Sequence, residues 1–400
     1  MDKETGSALR ELLQTMGEAL GHLHNHENEE LRQMVGECRQ QAAGILESVL
    51  PRPLEHQVHA SALSDEDWLR TACLVLAEEE EPFQPKNAFD REFWSLLDYL
   101  WSHSEEELLG TMKGNLQKVK KASREGYISF VRYFARFPFW GTINPDRGDY
   151  DTLEKRAAVL KRHSYDFLWL YQRMEDYLSR RTLCAVLKNW ALLDMADLQK
   201  VKSIFPDYWE PDIFPSNEGD ILVDVGAYIG DSIAQYINMY GTGYKKIYAY
   251  EISPGSYAQL CENIRKNKLH DILPVRKGLG ASRGEMFIED NRTDASANQL
   301  QSQGSAQARV EVVPLDEDIE GATFIKMDIE GAEQGALLGC ERIIRSQHPN
   351  LAVCTYHGYE DIWKIPLMID SMYPEYRFYL RHYGGNLIPT EFVLLCKAGG

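Results

Sequence analysis

Asp220-Ile-Leu-Val-Asp-Val-Gly-Ala-Tyr-Ile-Gly-Asp-Ser232 is the stretch on which the reading of this chain turns. It opens on the apolar run Ile221, Leu222 and Val223, of the kind that makes a strand buried on both faces. Asp224 stands at the end of the run. Gly226 and Gly230 follow, and Asp231-Ser232 lead into the helical pattern Ile233, Tyr236, Ile237 and Tyr240. Strand, glycine turn and helix form the first half of a nucleotide-binding βαβ unit. Glycine has no Cβ, so both glycines predict a tight turn and a close approach of the backbone to a ligand.

The spacing also narrows the ligand. A dinucleotide site needs Gly-x-Gly-x-x-Gly, and Gly226-Ala-Tyr-Ile-Gly230 lacks the glycine that lets the backbone approach a pyrophosphate. Asp-x-Gly-x-x-x-Gly at a strand end reads instead as a loop for S-adenosylmethionine (SAM). Asp224 is expected to hold the ammonium of that cofactor. Gly226, Ala227, Tyr228, Gly230 and Asp231 are the other expected contacts of the loop. The second strand, Lys246-Ile-Tyr-Ala-Tyr-Glu251, ends in an acid placed to accept both ribose hydroxyls. A generic doubly wound domain with incidental acids at its rim is the bland alternative. Loop, helix and strand-two acid in order argue against it.

The 400 residues suggest two or three domains, and 44% apolar residues are ample for packed cores. A formal net charge of −18 with no offsetting basic run leads us to expect no nucleic-acid partner. Seven dispersed cysteines read as reduced thiols. The start carries no basic-then-apolar leader, and no apolar run reaches the roughly 20 residues of a membrane span. The expectation is a cytoplasmic protein with no membrane partner and an oligomeric state left open.

Ahead of the glycine stretch the pattern is helical. Residues 8–19 and 29–50 read as amphipathic helices, and Pro51 and Pro53 end the second. His22, His24 and His26 alternate in the joint between them, but an acidic loop without cysteine does not point to a metal. Tyr127, Phe130, Phe134 and Phe137 share one helix face. That face reads first as core packing, and the breaker-rich Phe139-Trp140-Gly141 as a lining for the substrate mouth. Asp207 to Pro215 reads as a linker. The expected division is a helical region at 1–104, a helical cap and linker at 105–215, and an α/β domain at 216–400. In that domain further strands are expected at 272–275, 324–328 and 351–356, followed by an antiparallel pair at 376–380 and 391–396, while 286–288 and 310–315 flank a polar loop at 289–309. Together they give a Rossmann-like seven-stranded sheet of the class I SAM-methyltransferase kind, preceded by an all-helical region.

Three segments carry a family resemblance: Val223-Asp-Val-Gly-Ala-Tyr-Ile-Gly-Asp231, Tyr248-Ala-Tyr-Glu251 and Ile325-Lys-Met-Asp-Ile-Glu-Gly-Ala-Glu333. Over about 216–400 the chain resembles the FkbM family of SAM-dependent methyltransferases. The third segment is close to that family's Lys-x-Asp-x-Glu-Gly-x-Glu signature. The resemblance implies O-methylation of a macrolide, sugar or glycan hydroxyl, with the substrate itself left open.

Such chemistry needs a group to align an oxygen and take its proton, since the cofactor brings the electrophilic methyl. The two-residue period of a strand puts Lys326, Asp328 and Glu330 on one face. Asp328 falls at the strand's carboxyl end, where ligands sit in open α/β sheets, and His357 follows the next strand. These four are the candidate catalytic residues, with Asp328 or His357 expected as base and no metal. Lys326 can equally pair with Asp328 inside the sheet, and Glu333 can simply complement a helix start. A helical interaction protein whose α/β half binds SAM without catalysis is the rival reading. Its mark would be a broken site, and both glycines, Glu251 and Asp328 are present.

Overall fold

The computed structural model describes residues 3–23, 28–49, 63–137, 140–289, 299–301, 309–385 and 387–399. His24, His26, Pro51, Pro53, Phe139 and most of the polar stretch 289–309 lie outside them.

The apolar runs become a seven-stranded sheet. Its strands are β1 (Ile221–Val225), β2 (Lys246–Tyr250), β3 (Ile272–Val275), β8 (Phe324–Met327), β9 (Asn350–Cys354), β10 (Arg377–His382) and β11 (Phe392–Lys397). In space they run β3-β2-β1-β8-β9-β11-β10, with the first five parallel and β11 antiparallel to both its neighbours. Leu222, Val223, Ile247, Ile325 and Val353 are fully buried, as a sheet covered on both faces requires. Strand order reverses between β1 and β8. That switch point opens a crevice at the strands' carboxyl ends. A second sheet holds β4 (Gly278–Leu279), β5 (Gly284–Glu289), β6 (Gln299–Gln301) and β7 (Arg309–Val313) in the order β4-β7-β5-β6. The link from β10 to β11 is residues 383–391, longer than the expected Gly-Gly-Asn turn, of which Asn386 is not described.

The chain divides into two compact units. One takes Met1–Tyr127, Ile143–Gln172 and Trp190–Leu193 and is helical. Its helices Lys3–Leu23 and Glu29–Val49 pair through Leu9, Leu13, Met16, Val35, Cys38 and Ala42, all buried. Ser104 and Glu107 close a capping box at the start of helix Glu105–Ala122. Buried Lys161 donates to the carbonyls of Leu100 and Trp101, which lie in the last turn of helix Ala88–Ser102.

The other unit takes Ile128–Thr142, Arg173–Asn189 and Asp194–Gly400, so it recruits segments from well before the glycine stretch. Met174 and Lys202 bridge to Phe378 and His382 on β10. Glu175 N donates to the Phe378 carbonyl and Ser203 N to that of His382. These segments cover the outer edge of the sheet, where free N–H and C=O groups would otherwise invite pairing. No helix among the described residues is long and apolar enough to cross a membrane.

Candidate active site

The first loop is built by contacts within the protein. Gly226 has φ +81°, and a Cβ there would sit 1.9 Å from the Asp328 carbonyl oxygen. Gly230 has φ +88°, and its Cβ would stand 3.0 Å from Leu260 Cδ1. Gly226 therefore makes a close approach to the backbone at the end of β8. The Gly226 and Ala227 N–H groups both donate to the Tyr250 carbonyl at 3.0 and 2.9 Å, pinning the loop to β2. Ala227 is fully buried by this.

Glu251 stands just past the end of β2. Its two carboxylate oxygens accept from Tyr228 N at 2.8 Å and from Ser253 N at 2.7 Å. Each oxygen keeps a further acceptor direction, and the carboxylate lines a cleft of about 370 Å³. Burial raises its pKa, against the lowering effect of the two N–H bonds.

Asp224 is not on the cleft wall. It is fully buried, 3.0 Å from Lys326 Nζ and bonded by the Ser232 hydroxyl. The register explains this, since Asp224 lies directly opposite Lys326 across the β1–β8 pair. Its expected grip on a cofactor ammonium is thus replaced by an ion pair. Lys326 pairs with Asp224 rather than with Asp328, and also donates to the Gly226 carbonyl at 2.9 Å. Burial would lower its pKa, but the charges of Asp224 and Asp328 raise it. These two charges favour its cationic form.

Beyond β8 the chain turns back sharply, with Glu330 at φ +57° and Gly331 at φ +97°. The turn gathers Asp328, Glu330 and Glu333 around His357. Asp328 Oδ2 accepts from the Tyr208 hydroxyl at 2.6 Å, whereas Oδ1 has no hydrogen-bond partner. His357 Nδ1 lies 2.9 Å from Glu333 Oε1, which also accepts from Ile329 N at 2.9 Å. The other ring nitrogen, Nε2, stands 3.5 Å from Asp328 Oδ1 and 3.6 Å from Glu330 Oε2 and makes no hydrogen bond.

The charges of this group shape one another. Burial works against an imidazolium at His357, but Glu333, Glu330 and Asp328 outweigh it and push the ring to about 10. Burial pushes Glu330 to about 8. Burial would raise Asp328 too, but Lys326, His357 and the Tyr208 hydroxyl hold it below its ordinary value. The three carboxylates around the ring thus favour a positive charge at this position.

Several groups at the cleft escaped the sequence reading. Asp207 and Tyr208 come from the presumed linker, Tyr356 from the end of β9 and Glu391 from the start of β11, and all line the cleft. Tyr208 takes φ +71° to do so. Its presence was signalled only by aromatic residues in a breaker-rich stretch. Trp140, expected at the substrate mouth, stands one layer behind. It is buried, stacks on Tyr133 at 5.3 Å, and donates from Nε1 to the Tyr356 carbonyl at 2.8 Å. Of the expected cofactor residues, Gly226, Tyr228, Asp231, Glu251 and Asp328 line the cleft, while Asp224, Ala227 and Gly230 do not.

The lining fits SAM better than a dinucleotide. Asp207, Asp231, Glu251, Asp328, Glu330 and Glu391 face only Lys277 and Lys326, and Lys326 is already paired. An excess of carboxylates suits a ligand with cationic centres and repels phosphates.

Residues 224–387 match the family model of the methyltransferase FkbM domain. The crystal structure of the methyltransferase FkbM from Methylobacillus flagellatus is 27% identical, with a TM-score of 0.51 over 62% of this chain and 63% of that one. A curated relative from Methanocaldococcus jannaschii, tRNA(Phe) (4-demethylwyosine(37)-C(7)) aminocarboxypropyltransferase, is 40% identical over 65 residues. Those residues are 16% of this chain and 24% of the relative, so the match spans about a quarter of that protein. A putative rRNA methylase from Clostridium thermocellum aligns at 12% identity and a TM-score of 0.31, over 46% of this chain and 90% of that one.

The curated relative overturns one expectation. Its name is that of an enzyme acting on tRNA, so a net charge of −18 does not exclude nucleic acid as a partner. Net charge sums the whole surface, whereas recognition depends on the few groups that meet the ligand.

Proposed function

We propose that the chain is a SAM-dependent methyltransferase acting on a hydroxyl oxygen of a small molecule, sugar or glycan. The observation that carries this reading is the acidic cleft at the carboxyl ends of β1, β2 and β8, with the Glu251 carboxylate open toward it. Glu251 would hold the ribose hydroxyls, with Gly226, Tyr228 and Asp231 flanking them. When bound, SAM supplies a methyl group on a positively charged sulfur, which is already electrophilic. The protein's part is to orient the acceptor oxygen and to ease the loss of its proton. Asp328 and Glu330 line the cleft and face that oxygen. His357, behind them and anchored by Glu333, positions both. All seven cysteines are free, which supports placing the protein in a reducing, cytoplasmic compartment.

A second reading is favoured by the 40% identical stretch shared with a tRNA-modifying enzyme. In it the acceptor belongs to RNA, and a ribose hydroxyl would meet the same carboxylates.

The test uses the full chain with methyl-labelled SAM and separate small-molecule, glycan and RNA fractions of the producing cell, read by mass spectrometry. We expect a labelled methyl ether in the small-molecule or glycan fraction. Label confined to RNA would establish the second reading in its place. Tight SAM binding by calorimetry with no transfer to any fraction would make the chain a non-catalytic SAM binder. Tighter binding of NADH than of SAM would overturn both readings.

A further inference from the structure

The group behind the cleft has the form of a metal site. Asp328, Glu330 and His357 each offer one donor atom, and the three atoms lie within 4.8 Å of one another. Acidic clusters are common and prove nothing alone, so the imidazole decides. The His357 side chain is 2% exposed, yet Nε2 has no hydrogen-bond partner and points between Asp328 Oδ1 and Glu330 Oε2. Asp328 Oδ1 likewise makes no hydrogen bond. A buried ring nitrogen without a partner costs stability unless something meets it.

A proton on Nε2 would be the simplest occupant, but the spacing does not favour it. A charge-assisted hydrogen bond closes to about 2.7–2.9 Å on one carboxylate. Here two carboxylates stand off almost equally, at 3.5 and 3.6 Å. Adjacent donors around an octahedral ion at about 2.1 Å lie about 3.0 Å apart. Changes of about half an ångström would bring Nε2 and each carboxylate oxygen to that separation.

The surroundings match as well. A metal-ligating histidine almost always gives its other N–H to a carboxylate, which fixes the tautomer and aims the free lone pair. Glu333, 1% exposed, occupies that place at 2.9 Å from Nδ1 and is itself held by Ile329 N. The left-handed turn at Glu330 and Gly331 returns the second carboxylate to the ring.

We propose that Asp328, Glu330 and His357 bind a divalent cation, with Glu333 orienting the histidine. Two carboxylates with one imidazole favour Mn²⁺ or Mg²⁺ over a soft metal. Asp328 and Glu330 line the cleft, so the ion's open positions face it. In its catalytic part the inference rests on the methyl-transfer reading. The ion takes the acceptor hydroxyl oxygen as a ligand and lowers its pKa, and the proton leaves to water in the cleft. Binding of the ion does not depend on that reading.

The experiment titrates Mn²⁺ into the full-length, metal-stripped protein without SAM. Free Mn²⁺ is followed by electron paramagnetic resonance, and folding is checked by circular dichroism. One equivalent should bind to wild type. His357→Ala and Asp328→Asn should each weaken binding at least tenfold, and Glu333→Gln by about 10–100-fold, as changes to such orienting partners do. Unbound Mn²⁺ in the wild type, or folded variants that bind it equally well, would overturn the site. A variant that loses its fold is replaced in the comparison by Glu330→Gln, on which the same two outcomes decide. A parallel SAM titration without metal separates the two ideas. SAM binding with no Mn²⁺ binding sinks only the ion, and Mn²⁺ binding with no SAM binding sinks only the methyl-transfer reading.

Discussion

Lys326 and Asp224 show how little a single residue's type reveals about its use. Both sit where a ligand was expected, and both are spent on each other, 3.0 Å apart with the lysine side chain 2% exposed. Removing one partner of such a pair leaves an uncompensated buried charge and typically costs about 3–5 kcal/mol. Lys326→Met should lower the urea-unfolding free energy by about that amount, and Asp224→Asn in the same chain should restore part of it. An unchanged midpoint for Lys326→Met would show that the pair carries no structural weight. Glu251 is the opposite case, because its backbone bonds leave acceptor capacity facing the cleft. Losing hydrogen bonds to a charged group costs about 1.5–3 kcal/mol. Glu251→Ala should therefore weaken SAM binding by one to two orders of magnitude in calorimetry, and equal affinity would remove it from the site.

At the scale of elements, the segment Ile128–Thr142 joins the unit that holds the cleft, and Trp140 is its anchor. Trp140→Phe keeps a ring against Tyr133 but leaves the buried Tyr356 carbonyl without its indole donor. The cost should be about 1–3 kcal/mol of stability, with a raised KM for the acceptor and unchanged SAM affinity. A weakened SAM affinity with normal acceptor KM would place the segment on the cofactor side instead. This segment also marks the limit of what the sequence discloses. Strand, glycine turn, helix and second strand are local patterns, whereas the seven-stranded arrangement was expected from its likeness to class I methyltransferases. Leu222, Val223 and Ile325 declare themselves as core by being apolar. The partner of Asp224 depends on the register between β1 and β8, strands far apart in the chain. Tyr208, Glu391 and Trp140 come from loops whose course is set by tertiary contacts, and no periodicity marks them. The side-chain types at the site were legible, but their pairing was not.

For the whole molecule, the question is where the cofactor-binding unit begins. A boundary at 216 follows the change from helical to alternating pattern, yet the contacts reach further back. Arg381 is 4% exposed and pairs with Asp176 at 2.7 Å, and Ser179 Oγ accepts from Leu380 N at 2.9 Å. Burial would raise the Asp176 carboxyl, but Arg381 and Ser179 hold it below its ordinary value of 3.8. A carboxyl lowered by folding stabilises the native state above its unfolded pKa and loses that effect as pH falls through the folded one. Asp176→Asn should accordingly lower stability at neutral pH and flatten its fall below about pH 4, followed by urea unfolding across that range. A chain cut to 216–400 would lose Asp176 and Ser179, the cover over β10 and Trp209, which is fully buried beside Tyr236 and Phe324. It would keep every residue of the glycine loop, Glu251 and Asp328. We expect it to aggregate or bind SAM poorly, because an uncovered edge strand and an unpaired buried arginine are both costly. A chain beginning at 128 retains those contacts and should be the better folded of the two by thermal unfolding. If 216–400 alone unfolded cooperatively and bound SAM like the full protein, the early segments would be an addition to the α/β domain rather than part of it.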